Sequence, residues 1–426
     1  MSGKKYIKLF ETHSEYNTYI NGNDKILPNV SYCEDNNDVH YNPWTWAEEY
    51  LTTVAREDGT ISFNIWQSMG TDMITSISYS TDNGTTWVTT LNQDNKSEHL
   101  VINVDANMGD KILWKGIATQ TGFYDEEDYG DRVGSFFSSD CEFDAKGNVM
   151  SLLYGDNFKG QNIIEEDNAF CYLFRDYDGG NTCGIVNAKD LSLPATTLAD
   201  YCYLYMFNGC TSLITAPKLP ATTLAVSYYD DMFNGCTSLV AAPELPATTL
   251  ANDCYHSMFY NCTSLVTAPE LPATTLAQSC YDDMFNGCTA LITAPELPAT
   301  TLALNCYQYM FQGCTALINV PAILPATTLV NRCYHSMFQG CTSLTTAPEL
   351  PAPTLVTDCY RAMFFGCKKL NYIKAMFTTT PGSNYTTSWV YSVASSGTFV
   401  KNSAAEWDVT GNNGIPSGWT VQTASE

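Results

Sequence analysis

The chain has 426 residues, 45% of them hydrophobic, and a formal net charge of −25. That length allows roughly two to four domains, and the apolar content is that of a globular protein. The acidity excludes free nucleic acid and anionic membrane surfaces by repulsion, and no apolar run is long enough for a transmembrane helix, so no membrane insertion is expected.

Residues 1–43 are too few for a large core. Lys5–Phe10 suggests a strand, Asn29–Cys33 suggests another, and Asp38–Pro43 closes the unit. The opening MSGKKYIKLFETHSEYNTYI has no apolar stretch of signal-peptide length. KYIKLFETHSEYNTYI followed by ILPNVSYCEDNNDVHYNP is similar to a short leader on virion proteins of Bacteroides phages and prophages. That resemblance implies a small anchor that attaches the chain to other virion proteins.

Residues 44–148 read as a β-sandwich, Ig-like or of carbohydrate-binding type. Thr60–Trp66 and Thr75–Ser80 alternate, and Asp82-Asn83-Gly84 signals a turn before Thr85–Val88. Leu100–Val104 and Lys111–Ile117 supply two further strands. Trp66, Trp87 and Trp114 are of a type that stacks on sugar rings, but tryptophan within an alternating strand usually belongs to the core. Asp125–Asp128 with Asp131 lacks the spaced carboxylates of a calcium loop and reads as a solvated acidic loop.

Residues 149–378 are dominated by a repeat. LPATTLA begins at Leu193, Leu219, Leu245, Leu271 and Leu297, and returns as LPATTLV at Leu324 and LPAPTLV at Leu350. Each copy is followed by MFxGC or its variant MFxNC, with methionines at 206, 232, 258, 284, 310, 337 and 363. The step is 26 residues except for one of 27, where Pro321-Ala322-Ile323-Leu324 replaces Pro-Glu-Leu. Self-similarity at this period predicts a solenoid, which offers a long surface rather than a pocket. In the third copy, 100° steps put Leu250, Ala251, Cys254, Tyr255, Met258 and Phe259 on one half of a wheel, which predicts an amphipathic helix of about ten residues. Thr248 or Thr249 would cap its start. Asn261, glycine in the other six copies, would form a left-handed cap at its end. Cys262–Pro269 then reads as a short strand. Thirteen of the 17 cysteines fall in two series within the repeats. One series has seven members and the other is interrupted by Tyr228, so pairwise bridging would strand thiols; they read as small buried hydrophobes. Residues 379–426 hold Trp389, Trp407 and Trp419 and suit a terminal cap, with an entry cap over Met150–Asp190.

The MFxGCTSL stretches, such as Met206–Leu213, Met232–Leu239 and Met337–Leu344, resemble leucine-rich repeats of the BspA type. Such repeats are common in surface proteins of gut Bacteroidetes and in their phages, and GIPxGWTV endings accompany them. The resemblance implies adhesion or recognition and no enzymatic activity. The fold class expected is therefore multidomain α+β: a small β-rich anchor, a β-sandwich and a BspA-type solenoid, with one helix and one short strand per repeat and a C-terminal cap. No catalytic residues, metal site or cofactor are expected. His256 and His335 share a repeat position but lie three copies apart, too far for one metal ion. Glu244, Glu270 and Glu296 recur at one position and are the candidate ligand-binding residues, offering carboxylates to a host-surface glycan or protein. The function expected is a noncatalytic phage virion protein, a fibre or surface appendage for host recognition. The alternatives are a bacterial cell-surface adhesin without its export signal, and a glycan-active enzyme, against which the missing acid/base pair speaks. Homo-oligomerisation stays open.

Overall fold

A computed structural model describes residues 32–34, 38–40, 49–65, 74–91, 100–118, 135–175, 183–197 and 199–424. The expected strand at Lys5–Phe10, Trp66 and the acidic loop at 125–131 lie outside them. Within the first 43 residues, β1 (Tyr32–Glu34) pairs antiparallel with β2 (Asp38–His40).

Two sheets follow. The strands are β3 (Leu51–Ala55), β4 (Gly59–Ile65), β5 (Ile74–Ser80), β6 (Val88–Leu91), β7 (Leu100–Ala106), β8 (Lys111–Ala118), β9 (Phe136–Ser139), β10 (Phe143–Asn148) and β11 (Ile185–Ser192). One sheet has the order β11-β10-β3-β8-β5-β6 and the other β7-β4-β9. Alternation sets the faces: β7 turns Ile102, Val104 and Ala106 inward and leaves Leu100, Val101, Asn103 and Asp105 exposed. The sheets meet through aromatic rings, Trp114 of β8 against Phe137 of β9 at 5.2 Å and Phe63 of β4 against Phe137 at 4.8 Å. The β5–β6 turn carries Asn83 and Gly84 at positive φ, and the Asp82 carboxylate accepts from the Thr86 N–H and hydroxyl. β11 pairs parallel with β10 and bridges Asn187 to Thr215, so the sheet leads into the repeats.

Among the described residues, the repeats contain no α-helix. Among the described residues, helix is confined to one turn at Ser151–Tyr154, continued as a 3-10 turn at Gly155–Asn157. The α+β solenoid with one helix per repeat is thus corrected: the elements are nearly all strands, single bridges and turns. In each copy the backbone enters the left-handed region at three places four residues apart, as at Asp253, Ser257 and Asn261, or Ser279, Asp283 and Gly287. An i→i−4 ladder cannot pass such residues. Instead alternate amides close four-residue turns, as Met258 N–H to Tyr255 C=O, while the amides between them donate to the next repeat. Tyr255 donates to Cys280, Ser257 to Asp282 and Phe259 to Met284.

This four-residue period buries Cys254, Tyr255, Met258, Phe259 and Cys262 together. Stacking the copies makes two ring ladders. Phe233, Phe259, Phe285 and Phe311 follow at 5.5–5.6 Å, and Tyr229, Tyr255, Tyr281 and Tyr307 at 5.8 Å. Near-parallel rings at this spacing are offset stacks. Phe174 and Phe137 carry the phenylalanine ladder back to the paired sheets at 5.3 and 5.2 Å. At the far end β12 (Tyr372–Ala375), β13 (Thr398–Lys401) and β14 (Thr420–Thr423) form a parallel sheet. Trp389, Trp407 and Trp419 pack beneath it, each indole N–H donating to a backbone carbonyl.

The cysteine after each cap has a packing role with one polar contact. Cys262, Cys288 and Cys314 each donate S–H at 3.1 Å to the phenylalanine carbonyl of the preceding copy. All repeat cysteines are free and buried, and burial pushes the thiols up, Cys202 and Cys359 to about 12 and 11. Alkylation of the native protein should leave the repeat thiols unlabelled, and alkylation after nonreducing denaturation should label all thirteen. Bridged peptides in the mass spectrum would overturn this packing role.

Candidate binding surface

Outside the stacked rings, each copy makes one more turn after its cysteine, as Leu265 N–H to Cys262 C=O, and then runs extended to the next LPATTL. Leu265, Leu271 and Ala273 point inward, while Val266, Thr267, Glu270, Pro272 and Thr274 stay exposed. Parallel bridges link Ala241 to Thr267, Thr267 to Thr293 and Thr293 to Asn319, so equivalent residues form rows across the copies. One row is apolar: Ile214, Val240, Val266, Ile292 and Ile318, each 42–52% exposed. The sequence reading missed it, although a β-branched residue directly after the buried leucine of each copy is its signal. Beside it runs a mostly hydroxyl row of Thr215, Thr267 and Thr293, interrupted by Ala241. Beyond that lie Glu244, Glu270 and Glu296, all exposed. The structure therefore sets the three glutamates at one register, each in the same surroundings. Carboxylates so alike do not divide into an acid and a base.

The rows end where the 27-residue step falls. No bridge joins Asn319 to Thr346 among the described residues; pairing resumes at Ile323–Glu349. The gap opens a cleft of about 590 Å³, lined by Ile318, Asn319, Thr346, Glu349, Tyr372 and Lys374 among others. Glu349 continues the glutamate row but is paired with the Lys374 ammonium at 2.9 Å.

Among the described residues, the tryptophans of the paired sheets, Trp87 and Trp114, offer no open ring. Trp114 is fully buried and donates to Thr53, and Trp87 is half-buried under the Lys115 ammonium, 4.1 Å from its ring.

Residues 229–371 match the family model described as BspA type leucine rich repeat region, in six copies. The repeats are BspA-like. The matched span holds the six units with methionines from Met232 to Met363, and the unit at Met206 precedes it. No curated protein and no solved structure matches the chain. BspA-like repeats are generally noncatalytic, which agrees with rows of identical environments rather than a paired acid and base.

The turn side of the BspA-like repeats is graded in charge. Asp230, Asp231, Asp253, Asp282 and Asp283 crowd the early copies, and Arg332, His335 and Arg361 the late ones. His256 Nδ1 lies 2.8 Å from Asp230 Oδ1. Burial opposes its charge, but the hydrogen bond and charge of Asp230, aided by Asp231 and Asp282, raise it to about 10. Burial, then Asp230, pushes Asp231 up to about 7. The sequence reading weighed His256 only against His335, three copies away; the signal missed was that Asp230 and His256 stand one repeat apart in the same register.

His335 has the opposite surroundings. Burial, then Arg361, lowers it to about 4, and its Nδ1 lies 3.0 Å from Gln308 Oε1. A histidine whose folded pKa is depressed loses stability as pH falls from its unfolded value near 6.5 towards 4, because only the unfolded chain takes the proton. Screening at this partly exposed group reduces the effect to about 1–2 kcal/mol. The urea midpoint of His335→Gln should therefore fall less than that of the parent between pH 7.5 and 4.5. Parallel pH profiles would sink this assignment.

Proposed function

We propose that this chain is a noncatalytic recognition protein of a phage particle, fibre or surface appendage, with residues 1–43 attaching it to other virion proteins. BspA-like repeats suggest a surface or adhesion-type protein, and the leader resemblance supports the particle. The observation that carries the recognition role is the set of parallel rows: aliphatic, hydroxyl and carboxylate groups repeated at one step per copy. A polymer with its own repeat can meet such rows many times, so weak contacts add. The carboxylates and the net charge of −25 disfavour an anionic polymer and favour a neutral host-surface glycan.

The test uses full-length protein on gut Bacteroidetes cells and on purified neutral capsular polysaccharide. A Glu244→Gln, Glu270→Gln, Glu296→Gln variant should bind at least about tenfold more weakly, a loss of about 1.4 kcal/mol. Undiminished binding by the folded variant would remove the glutamates from the site. Immunolabelled electron micrographs decide the particle: label on virions is expected, and label only on the bacterial outer surface would make the chain a cellular adhesin.

A further inference from the structure

We propose that Asp230, Asp231 and His256 bind one divalent transition-metal cation, with water completing the ligand set. Repeat stacking builds the site. Asp230, His256 and Asp282 occupy one register position in three successive copies, and the neighbouring Phe233–Phe259 and Phe259–Phe285 rungs are 5.6 and 5.5 Å apart. Side chains at that position therefore face each other along the array.

The ligand atoms of Asp230, Asp231 and His256 all lie within 4.8 Å of one another. A four-coordinate ion with bonds of about 2.0–2.2 Å needs them about 3.3–3.5 Å apart, which small side-chain rotations supply. Asp231 is held for the purpose: it sits at φ 53°, its side chain is buried, and Asn234 donates to its carboxylate. Asp282, one copy beyond His256, adds negative charge beside the site. Asp282 is 6% exposed; its Oδ2 accepts from Gln308 of the following copy at 3.1 Å, and its Oδ1 has no partner. A buried carboxylate oxygen without a donor is costly, and a nearby cation offsets that cost.

Charge points the same way. Asp230, Asp231, Asp253 and Asp282 surround one imidazole, so a single proton on His256 leaves the group net negative. One nitrogen and two carboxylate oxygens, with no thiolate, suit zinc or manganese better than calcium or magnesium, which favour all-oxygen sites. Bound there, the ion would tie two successive copies together on the turn side, away from the glutamate row.

The experiment titrates zinc chloride into EDTA-stripped, dialysed full-length protein by calorimetry at pH 7.5. One equivalent should bind with micromolar or tighter affinity and should raise the melting temperature. His256→Gln should weaken binding at least about 100-fold, and Asp231→Asn at least about tenfold, as expected for a lost ligand. His335→Gln should bind like the parent. In the parent protein, zinc should shift the imidazole nitrogen signals of His256 and leave those of His335 in place, which keeps the test open if a variant does not fold. No stoichiometric binding by the parent, or unmoved His256 signals, would reduce the cluster to an ion-pair network and overturn the proposal.

Discussion

Replacing Phe285 by alanine should lower stability by about 3–5 kcal/mol, the usual cost of emptying a buried aromatic site. Phe285 is fully buried, and its ring stacks between Phe259 at 5.5 Å and Phe311 at 5.6 Å. The backbone contacts survive the change: its N–H still donates to Met310 C=O, and its C=O still accepts the Cys314 thiol. What is lost is a rung shared by two interfaces. Stacked repeats are coupled to nearest neighbours alone, so damage at one rung weakens the cooperation of the copies on either side. Urea unfolding of the variant should accordingly broaden or split, with a lower apparent slope than the parent. Phe285→Leu, which keeps most of the volume, should cost about 1–1.5 kcal/mol and preserve a single transition. A shift below about 1 kcal/mol for the alanine variant would mean that the ring ladder is not a stabilising core.

The buried face of each repeat was legible in the sequence, and its backbone was not. Cys254, Tyr255, Met258 and Phe259 were placed on one half of a helical wheel, and all four are buried. A 3.6-residue helix and a four-residue turn coil both group positions i, i+1, i+4 and i+5, so a run of ten residues cannot separate them by burial alone. The distinguishing signal lay in the residues between: Asp253, Ser257 and Asn261 stand four apart, and Asn and Asp enter the left-handed region more cheaply than most. Only the last of the three was used. Other copies hide the signal, placing Tyr309, Arg332 or Ala362 at positive φ. What overrides their local preference is tertiary: the amides of Tyr309 and Arg332 donate to His335 and Thr357 of the next copy, bonds that no single repeat contains. The candidate surface divides in the same way. The glutamate row follows from period alone, whereas the Asp230–His256 pair needs the register between copies, and the cleft at Asn319–Thr346 needs the path the chain takes around its extra residue.

Gly287→Val should destabilise the array by about 2–4 kcal/mol, from backbone strain and overpacking together. Gly287 has φ 77°, where a β-branched side chain is strained wherever it sits. Its neighbour in the stack is Asn261, the one asparagine in a column of glycines, and an added Cβ would meet Asn261 Oδ1 at 2.1 Å and its Cα at 3.4 Å. The side-chain oxygen can swing away, but Cγ, which the added Cβ would meet at 3.2 Å, must shift with it. Gly313 offers the contrast: an added Cβ there meets nothing nearer than 3.7 Å, so Gly313→Ala should cost about 1 kcal/mol from the left-handed conformation alone. The two contributions at Gly287 separate in a double-mutant cycle. Placing Asn261→Gly beside Gly287→Val should recover about 1–2 kcal/mol by removing the clash, while the conformational cost stays. The measurement is the urea midpoint of the four proteins. Equal losses for Gly287→Val with and without Asn261→Gly would show that the glycine column does not stack at this distance, and an unchanged midpoint for the single variant would show that the left-handed cap is absent.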